Sequence, residues 1–462
     1  MFTAATYLER RRRLCADVGS GMILLMGNKE APINYAGNVY PFRQDSTFLY
    51  FLGLDVPGAV ALLDADSGET YLYGDEVTVE DVVWSGPVPR LADLAHRSGI
   101  QHIQPAAALE AAIEQALLAG RTVHFLPPYR AANAIKLSHV LGLALGELRQ
   151  RASRELVMAV IAQRLYKSEE EVAEIGHALE ITARMHRAAM LTARPGMIES
   201  EVMANIHAEA LAAGSQLAYG IIASVRGEIL HNPYHRNRLE HGGLMLVDAG
   251  AESPMHYAGD ITRTFPVDPV FTTKQREIYD AVLDAQLAVI GALRPGVRYL
   301  DLHRMAAQRM TEHLIQIGLM RGNAEDAMEA GAHALFFVHG LGHMLGLDVH
   351  DMEDLGEQHV GYTPDIERSS QFGLNYLRLA RKLEPGFVLT VEPGLYFIPA
   401  LIDQWRAAGK FREFIDYDRA EAYKDFGGIR IEDNCLITSE GAQVLGPGIP
   451  KTAEEISELR QS

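Results

Sequence analysis

Four acidic residues in the C-terminal half of the chain follow or interrupt short apolar runs, where buried strands would end. They are Asp248, Asp260, Glu392 and Glu432. Burying a carboxylate costs free energy unless it is paired with a cation or binds a metal. One acidic residue at a strand end usually belongs to a turn or a cap, but four such cases indicate a shared cation site.

Histidines that could complete such a site are concentrated in residues 339–351, a segment that contains His339, His343 and His350. The glycines of this segment favour a loop or tight packing over an uninterrupted helix. His231 lies in a turn-like context just before an Asn-Pro pair. A single histidine is more often structural than catalytic, so these residues gain meaning only beside the carboxylates.

Four carboxylates and one imidazole form an oxygen-rich site, which suits Mn²⁺ or a similar hard divalent ion better than a thiolate zinc site does. Two of the carboxylates can bridge two metal ions. Two metal ions about 3.5 Å apart can share and activate one hydroxide. Side chains alternate along a strand, so Thr262 shares a face with Asp260 and Thr390 shares one with Glu392. We predict that these threonines orient the carboxylates.

The elements that must position these residues fall into two parts. The first 150 residues have the pattern of a small α/β domain. It contains a buried strand at 22–26, a hairpin of 59–63 and 70–73, and a helix over 105–119. A change of pattern near residues 150–168 predicts a second unit.

The second unit opens with a long helix. Ser168 and Glu171 form a capping box, and apolar residues then recur every three or four positions, which predicts one buried face. Arg-Pro-Gly at 194–196 ends this helix. The same tripeptide recurs at 294–296, again between two helix-like segments. The repeat suggests a duplicated α+β half with the site between the halves, and chance similarity of a short helix stop is the competing interpretation.

Composition limits the class of protein. The 462 residues include 42 Lys and Arg against 60 Asp and Glu, a net charge of −18, which argues against general nucleic-acid binding. Two distant cysteines, Cys15 and Cys435, indicate a reducing compartment. We see no signal peptide and no membrane span, and therefore expect a cytoplasmic protein. The arginine run at 10–13 is interpreted as a solvated helix face or a subunit contact rather than a site for an acidic partner.

Five segments together resemble the proline-specific peptidases of the pita-bread metallopeptidase fold, prolidase (Xaa-Pro dipeptidase) and aminopeptidase P. The segments are 248–250, 259–266, 339–351, 391–394 and 428–433. Residues 42–50 also resemble the N-terminal domain of this family. The resemblance implies an α/β (α+β) fold, with an N-terminal α/β domain over residues 1–155 and a pita-bread catalytic domain with pseudo-twofold halves over residues 156–462.

The resemblance also implies a site for two divalent metal ions, for which Mn²⁺ is the expected choice. The implied ligands are Asp248, Asp260, His343, Glu392 and Glu432. Asp260 and Glu432 would bridge the ions, Asp248 would serve one ion, and His343 and Glu392 would serve the other.

Catalytic roles are implied in the same way. Glu392 would also act as general base toward the attacking water. His231, His339 and His350 match the substrate-contacting and proton-handling histidines of the family, and His350 would polarise the scissile carbonyl or stabilise the oxyanion. The implied partners are a small proline-containing peptide and further copies of the chain, in a homodimer or a higher oligomer.

One spacing differs from the family's motif. Asp248 and Asp260 lie 12 residues apart, one more than usual. An extra residue within a strand would turn the following side chains to the opposite face. We therefore expect the extra residue in the turn near Ser253 and Pro254, or in a bulge, with both ligands retained.

Two arginines are candidates for substrate binding. Arg378, 14 residues before Glu392, resembles the arginine with which prolidase contacts the carboxylate of its substrate. Such a charge-assisted bond would select dipeptides. A plain surface arginine is the competing interpretation. Arg430 shares a strand face with Glu432 and would balance the acidic cluster or hold a ligand. Residues 42–50 look closer to aminopeptidase P, so removal of the first residue from longer Xaa-Pro peptides is the alternative to dipeptide cleavage.

Some members of this fold have lost their metal ligands and bind partner proteins without catalysing a reaction. This interpretation is disfavoured here, because all five ligand positions carry the required type of residue.

Overall fold

A computed structural model describes residues 1–462 except for the side chain of Ser85. The chain divides into two units, residues 1–164 with 354–356 and residues 165–353 with 357–462. The domain boundary at residues 155/156 stays a prediction. Among the described residues, no helix is both long enough and apolar enough to cross a membrane.

The first unit is built around a mixed five-stranded sheet. Its helices are α1 (Ala4–Val18), α2 (Ser46–Leu52), α3 (Val79–Ser85), α4 (Leu91–Arg97), α5 (Leu109–Leu118), α6 (Ala131–Leu141), α7 (Leu148–Arg151) and α8 (Arg154–Arg164). Its strands are β1 (Met22–Met26), β2 (Pro32–Tyr35), β3 (Asn38–Val39), β4 (Val60–Asp64), β5 (Thr70–Tyr73), β6 (His102–Gln104) and β7 (Val123–Phe125). The sheet order is β6-β5-β4-β1-β7, and β2 pairs with β3 separately.

The predicted elements of this unit are found. Strand β1 is buried, and β4 and β5 form the predicted antiparallel hairpin. Leu24 and Leu62 pack on one side of the sheet against Leu109 and Ile113 of α5, in the core that the alternation of apolar residues predicts. The predicted helix at 105–119 begins with a single 3₁₀ turn, and the α-helix follows from Leu109.

The interpretation of the arginine run as a solvated face is wrong for Arg10 and Arg11, which are both buried. Arg10 donates to the carbonyl of Tyr50, and Arg11 donates to those of Phe51 and Ser98. The carbonyls at the end of a helix lack partners within that helix, and a guanidinium can satisfy several of them at once. These two arginines therefore fasten the end of α2.

The second unit contains two helix pairs and three small antiparallel sheets. Its helices are α9 (Glu169–Thr192), α10 (Glu199–Ala212), α11 (Thr273–Ala292), α12 (Tyr299–Gln316), α13 (Ala324–Ala330), α14 (Glu357–Val360), α15 (Pro399–Ala408), α16 (Tyr417–Glu421) and α17 (Ala453–Gln461). Its strands are β8 (Ile222–Ser224), β9 (Leu244–Ala249), β10 (Ile261–Pro266), β11 (Val388–Val391), β12 (Gly394–Tyr396), β13 (Gly428–Arg430), β14 (Asp433–Ile437) and β15 (Ala442–Val444). The sheet orders are β10-β9-β8, β11-β14-β15 and β12-β13.

The repeated Arg-Pro-Gly marks a duplication. Gly196 lies between α9 and α10, Gly296 lies between α11 and α12, and their φ angles are 93° and 85°, a region that favours glycine. The N–H of Gly196 donates to the carbonyl of Leu239, and that of Gly296 donates to the carbonyl of Leu383, each at 2.8 Å. A three-stranded antiparallel sheet accompanies each helix pair, so the predicted pseudo-twofold halves are confirmed. The capping box of Ser168 and Glu171 is confirmed as well.

Candidate metal centre

The hairpin of β9 and β10 places Asp248 and Asp260 on one face. Its pairing keeps a single register along both strands, and an isolated bridge continues that register into the loop. With no shift in register, the two aspartates lie on the same side of the hairpin. The closing turn, residues 253–257, takes up the unusual spacing, and His256 within it has a positive φ of 67°. Of the two predicted solutions, the turn is the one found.

The second half of the unit carries the other predicted ligands. Glu392 follows the last residue of β11, and Glu432 lies between β13 and β14, where it bridges to Thr262 of β10. His343 lies in an irregular buried segment that a further bridge connects to β11. Residues 339–351, all of which are described, contain no helix, as their glycines predicted.

All five predicted ligands line one cavity of about 1370 Å³: Asp248, Asp260, His343, Glu392 and Glu432. Nε2 of His343 lies 3.4 Å from Oδ2 of Asp260 and 3.5 Å from Oε1 of Glu392. Ligand atoms of Asp260, His343 and Glu432 all lie within 4.8 Å of one another. Nδ1 of His343 donates to the carbonyl of Met344, which leaves Nε2 as the nitrogen for a metal.

Negative charge is in excess in this cluster. The guanidinium of Arg430 contacts Asp248 directly and acts through its charge on Glu392 and Glu432. Burial raises the pKa of Glu392 to about 7, and burial with the neighbouring Asp260 raises the pKa of Glu432 well above its usual value. Burial also opposes ionisation of Asp260, but the hydrogen bond with His343 leaves the pKa of Asp260 below its ordinary value. An oxygen-rich donor set whose carboxylates resist ionisation without further positive charge fits divalent cations.

Two threonines support the carboxylates. Oγ1 of Thr262 donates to Oε2 of Glu432 at 2.7 Å, so Thr262 serves Glu432 across the sheet rather than Asp260 on its own strand. Oγ1 of Thr390 lies 3.4 Å from Oε1 of Glu392 and accepts the backbone N–H of His343 at 3.1 Å. Hydrogen bonds of this kind fix the orientation of metal ligands.

Sequence reasoning missed two residues that support the aspartates, Tyr219 and Asn434. The buried hydroxyl of Tyr219 lies 2.6 Å from Oδ1 of Asp248 and 2.5 Å from Oδ1 of Asp260, so it joins the two aspartates. Asn434 holds the backbone of Asp260 by donating to its carbonyl and accepting its N–H. Asn434 is the second residue of β14 and precedes its apolar part, and a buried amide at this place was a usable signal. Nothing in the local sequence distinguishes Tyr219.

His339 is committed to contacts within the protein. Its Nδ1 donates to the carbonyl of Gly340 at 2.7 Å, and its Nε2 accepts from the hydroxyl of Tyr396 at 2.7 Å. That hydroxyl accepts from Nη1 of Arg430 at 2.9 Å. Burial, with Arg430 nearby, lowers the pKa of His339 to about 3, so the ring is neutral. His339 therefore supports Arg430 through Tyr396.

The remaining predicted residues, His231, His350 and Arg378, line the same cavity. Nδ1 of His350 lies 2.5 Å from Oε2 of Glu353. Nη1 of Arg378 contacts Glu353 and donates to Glu357 at 2.8 Å. Arg378 thus belongs to a group of ion pairs at the cavity wall and is more than a solvated surface residue.

Comparison with known proteins identifies the family. A model of metallopeptidase family M24 matches residues 173–439, and a model of the aminopeptidase P N-terminal domain matches residues 7–124. The chain belongs to metallopeptidase family M24. This family uses a dinuclear metal site, and the carboxylate and histidine cluster lies wholly within the matched catalytic segment.

Relatives of this M24 chain extend over nearly its whole length. It is 34% identical to Xaa-Pro aminopeptidase of Escherichia coli K12, over 98% of this chain and 97% of that protein. It is 29% identical to Xaa-Pro dipeptidase of Homo sapiens, over 97% and 90% of the two chains. Its structure is similar to zinc-substituted E. coli aminopeptidase P in complex with product, with a TM-score of 0.82, 31% identity, and 100% and 99% of the chains covered. The predicted α/β N-terminal domain and pita-bread catalytic fold are confirmed.

The M24 centre is expected to bind metal more strongly as pH rises. In the metal-free protein, Glu392 and Glu432 have raised pKa values, so the folded state holds protons that the unfolded state releases. The protonated carboxyl groups therefore stabilise the folded state at low pH. This stabilisation is lost as pH rises through about 7, the pKa of Glu392. Metal ions displace those protons. Thermal unfolding with and without Mn²⁺ should show a larger gain in Tm at about pH 8 than at about pH 6; equal gains would contradict proton displacement.

Replacing Tyr219 by Phe is expected to weaken metal binding to the M24 centre without unfolding it. The change removes the hydroxyl that joins Asp248 and Asp260. Loss of such a supporting bond typically costs about 10–100-fold in metal affinity. Calorimetric titration of the metal-free protein with Mn²⁺ measures this, and Tyr279→Phe is the control, since that buried hydroxyl donates to the carbonyl of Lys451. Unchanged affinity in Tyr219→Phe would exclude the supporting role.

Proposed function

We propose that this protein hydrolyses the peptide bond that precedes proline, with two divalent ions, most simply Mn²⁺, held by the carboxylate and histidine cluster. The observation that carries the proposal is the convergence of the five predicted ligands on one cavity in a chain of family M24. The names of its relatives, Xaa-Pro aminopeptidase and Xaa-Pro dipeptidase, support proline as the recognised residue.

The arrangement supports particular roles for the ligands. Asp260 lies between Asp248 and His343, since it shares the hydroxyl of Tyr219 with Asp248 and approaches Nε2 of His343 on its other oxygen. In this proposal Asp260 and Glu432 would serve both ions, Asp248 would serve one, and His343 with Glu392 would serve the other. When bound there, two divalent ions lower the pKa of a water and polarise the scissile carbonyl.

The chain's own groups handle the protons and the substrate. Glu392 has 16% of its side chain exposed and lies at the cavity, and we assign it to accept a proton from the attacking water. His231 and His350 line the cavity and are assigned to the scissile carbonyl and the leaving proline nitrogen. Both ring nitrogens of His339 are engaged, so we assign His339 and Arg430 to holding the cluster rather than to proton transfer or substrate binding.

Substrate length has two candidate solutions, and the geometry favours longer peptides. The cavity, at about 1370 Å³, exceeds the roughly 300–1,000 Å³ of typical small-ligand pockets and has room beyond a dipeptide. The charge of Arg378 is already opposed by Glu353 and Glu357. Removal of the first residue from Xaa-Pro peptides is therefore the proposed activity. Dipeptide cleavage is the second candidate, which the position of Arg378 on the cavity wall supports.

One assay tests both candidates. The Mn²⁺-loaded protein is given Ala-Pro, Ala-Pro-Ala and Ala-Ala-Ala in parallel. The expected result is a higher kcat/KM for Ala-Pro-Ala than for Ala-Pro, no cleavage of Ala-Ala-Ala, and loss of activity with chelator that Mn²⁺ restores. Cleavage of Ala-Pro alone, with a raised KM in Arg378→Met, would establish the dipeptidase. No cleavage of either proline peptide would refute the proposal.

A further inference from the structure

His350 is held from behind by a carboxylate that neither the motifs nor the ligand set includes. Glu353 begins a 3₁₀ turn, and its Oε2 lies 2.5 Å from Nδ1 of His350. The other carboxylate oxygen, Oε1, contacts Nη1 of Arg378. The imidazole of His350 packs edge-on against that of His343, with 4.2 Å between the ring centroids. The ring is therefore fixed both by packing and by a charged acceptor.

The contact determines which nitrogen of His350 carries hydrogen. Glu353 is ionised, because its hydrogen bond with His350 and the charge of Arg378 lower its pKa to about 2 against the effect of burial. An ionised carboxylate only accepts hydrogen bonds, so Nδ1 is the donor. Nε2 of His350 has no hydrogen-bond partner among the described residues, and His350 lines the cavity. Nε2 is thus the nitrogen available to a substrate.

We infer that Glu353 is a positioning residue for the proposed hydrolysis: it fixes the ring of His350 and the hydrogen on Nδ1, so that Nε2 is presented to the substrate. The expected loss of kcat rests on the proposed function. The expected movement of the His350 ring rests only on the hydrogen bond between His350 and Glu353. A histidine whose second nitrogen binds a carboxylate keeps one tautomer and one ring orientation.

A neighbouring residue separates this role from support of Arg378. Glu357 accepts from the same nitrogen of Arg378 at 2.8 Å and also pairs with Arg368 at 2.6 Å, but it makes no hydrogen bond to His350. If Glu353 acts only by holding Arg378, then loss of either glutamate should have a similar effect. If Glu353 acts through His350, then loss of Glu353 should lower kcat and loss of Glu357 should not.

The experiment compares Glu353→Ala, Glu353→Gln and Glu357→Gln in the Mn²⁺-loaded protein, with Ala-Pro-Ala as substrate. Glu353→Ala is expected to lower kcat about 10–100-fold with KM within about twofold, as for other supporting partners of site histidines. Glu353→Gln should recover most of that loss, since the amide oxygen still accepts from Nδ1. Glu357→Gln should stay within about threefold of the wild type. Equal losses in Glu353→Ala and Glu357→Gln would overturn the inference.

A double variant makes the test stricter. In the His350→Ala background, further replacement of Glu353 by Ala should change kcat little, because the two residues act as one unit. Multiplied losses would show that Glu353 acts elsewhere and would overturn the inference.

A structural readout separates failure of this inference from failure of the proposed function. Crystal structures should show the His350 ring rotated in Glu353→Ala and retained in Glu353→Gln, whether or not any Xaa-Pro peptide is cleaved. Absence of cleavage in the wild type would refute the proposed function alone. An unmoved ring in Glu353→Ala would refute the positioning role alone.

Discussion

Asp260→Asn should remove metal binding and peptide hydrolysis together. Asp260 contacts two parts of the cluster, with Oδ2 at 3.4 Å from Nε2 of His343 and Oδ1 at 2.5 Å from the hydroxyl of Tyr219. Asparagine has nearly the same shape, but it lacks the charge and the second equivalent oxygen that a residue between two cations needs. Metal assistance is worth several kcal/mol at the transition state. We therefore expect kcat/KM to fall by about 10³-fold or more.

The fold of Asp260→Asn should survive, and this allows the result to be interpreted. Asn434 holds the backbone of Asp260 and does not depend on its carboxylate. Because His343 lowers the pKa of Asp260, loss of this charge should cost the metal-free protein some stability, which its Tm without metal measures. The measurements are metal content, the gain in Tm with Mn²⁺, and activity on Ala-Pro-Ala. Asp280→Asn, a partly exposed aspartate on α11, is the control. Full activity with bound metal in Asp260→Asn would refute the assignment.

Glu392→Gln should separate hydrolysis from metal binding. The amide keeps one oxygen for a metal but cannot take a proton from water. Glu392 is the least buried of the five predicted ligands, with 16% of its side chain exposed, and it lies 3.5 Å from Nε2 of His343. A positioned general base typically contributes about 10²–10⁴-fold. We expect kcat to fall within that range while the protein retains more of its metal than Asp260→Asn does.

The matched change for this prediction is Glu384→Gln. Glu384 is partly exposed and pairs with Arg381 and Tyr166, so its loss should leave kcat unchanged. Glu392→Asp keeps an acid group on a shorter side chain and is expected to fall between wild type and Glu392→Gln. If Glu392→Gln retains wild-type kcat, then another group takes the proton and the assignment of the base is wrong.

The acidic residues of the site were accessible from sequence because their neighbours are regular. Asp248, Asp260, Glu392 and Glu432 stand in or beside strands that are otherwise apolar, and a carboxylate in such a place requires a compensating partner. The period of two along a strand predicted that Thr390 supports Glu392. The same rule assigned Thr262 to Asp260, whereas Thr262 serves Glu432 on a neighbouring strand. A periodicity shows which side chains share a face, but not which strand lies beside them.

The duplication was likewise predictable from a short signal. Arg-Pro-Gly contains a residue that cannot continue a helix and a residue that tolerates positive φ, so the tripeptide dictates the same turn wherever it occurs between helices. Gly196 and Gly296 make that turn with equivalent hydrogen bonds.

Residue types, spacing and periodicity by themselves determined several strands and helix ends, the paired halves and the four candidate carboxylates, because these depend on local sterics and on the cost of burying charge. The choice of His343 as the fifth ligand came from the family resemblance. Tertiary structure alone decided that Tyr219 joins two aspartates and that Arg10 and Arg11 are buried. It also decided that Glu353 connects His350 to Arg378. A polar side chain takes its partners from whatever packing brings within about 3 Å, and packing depends on the whole chain.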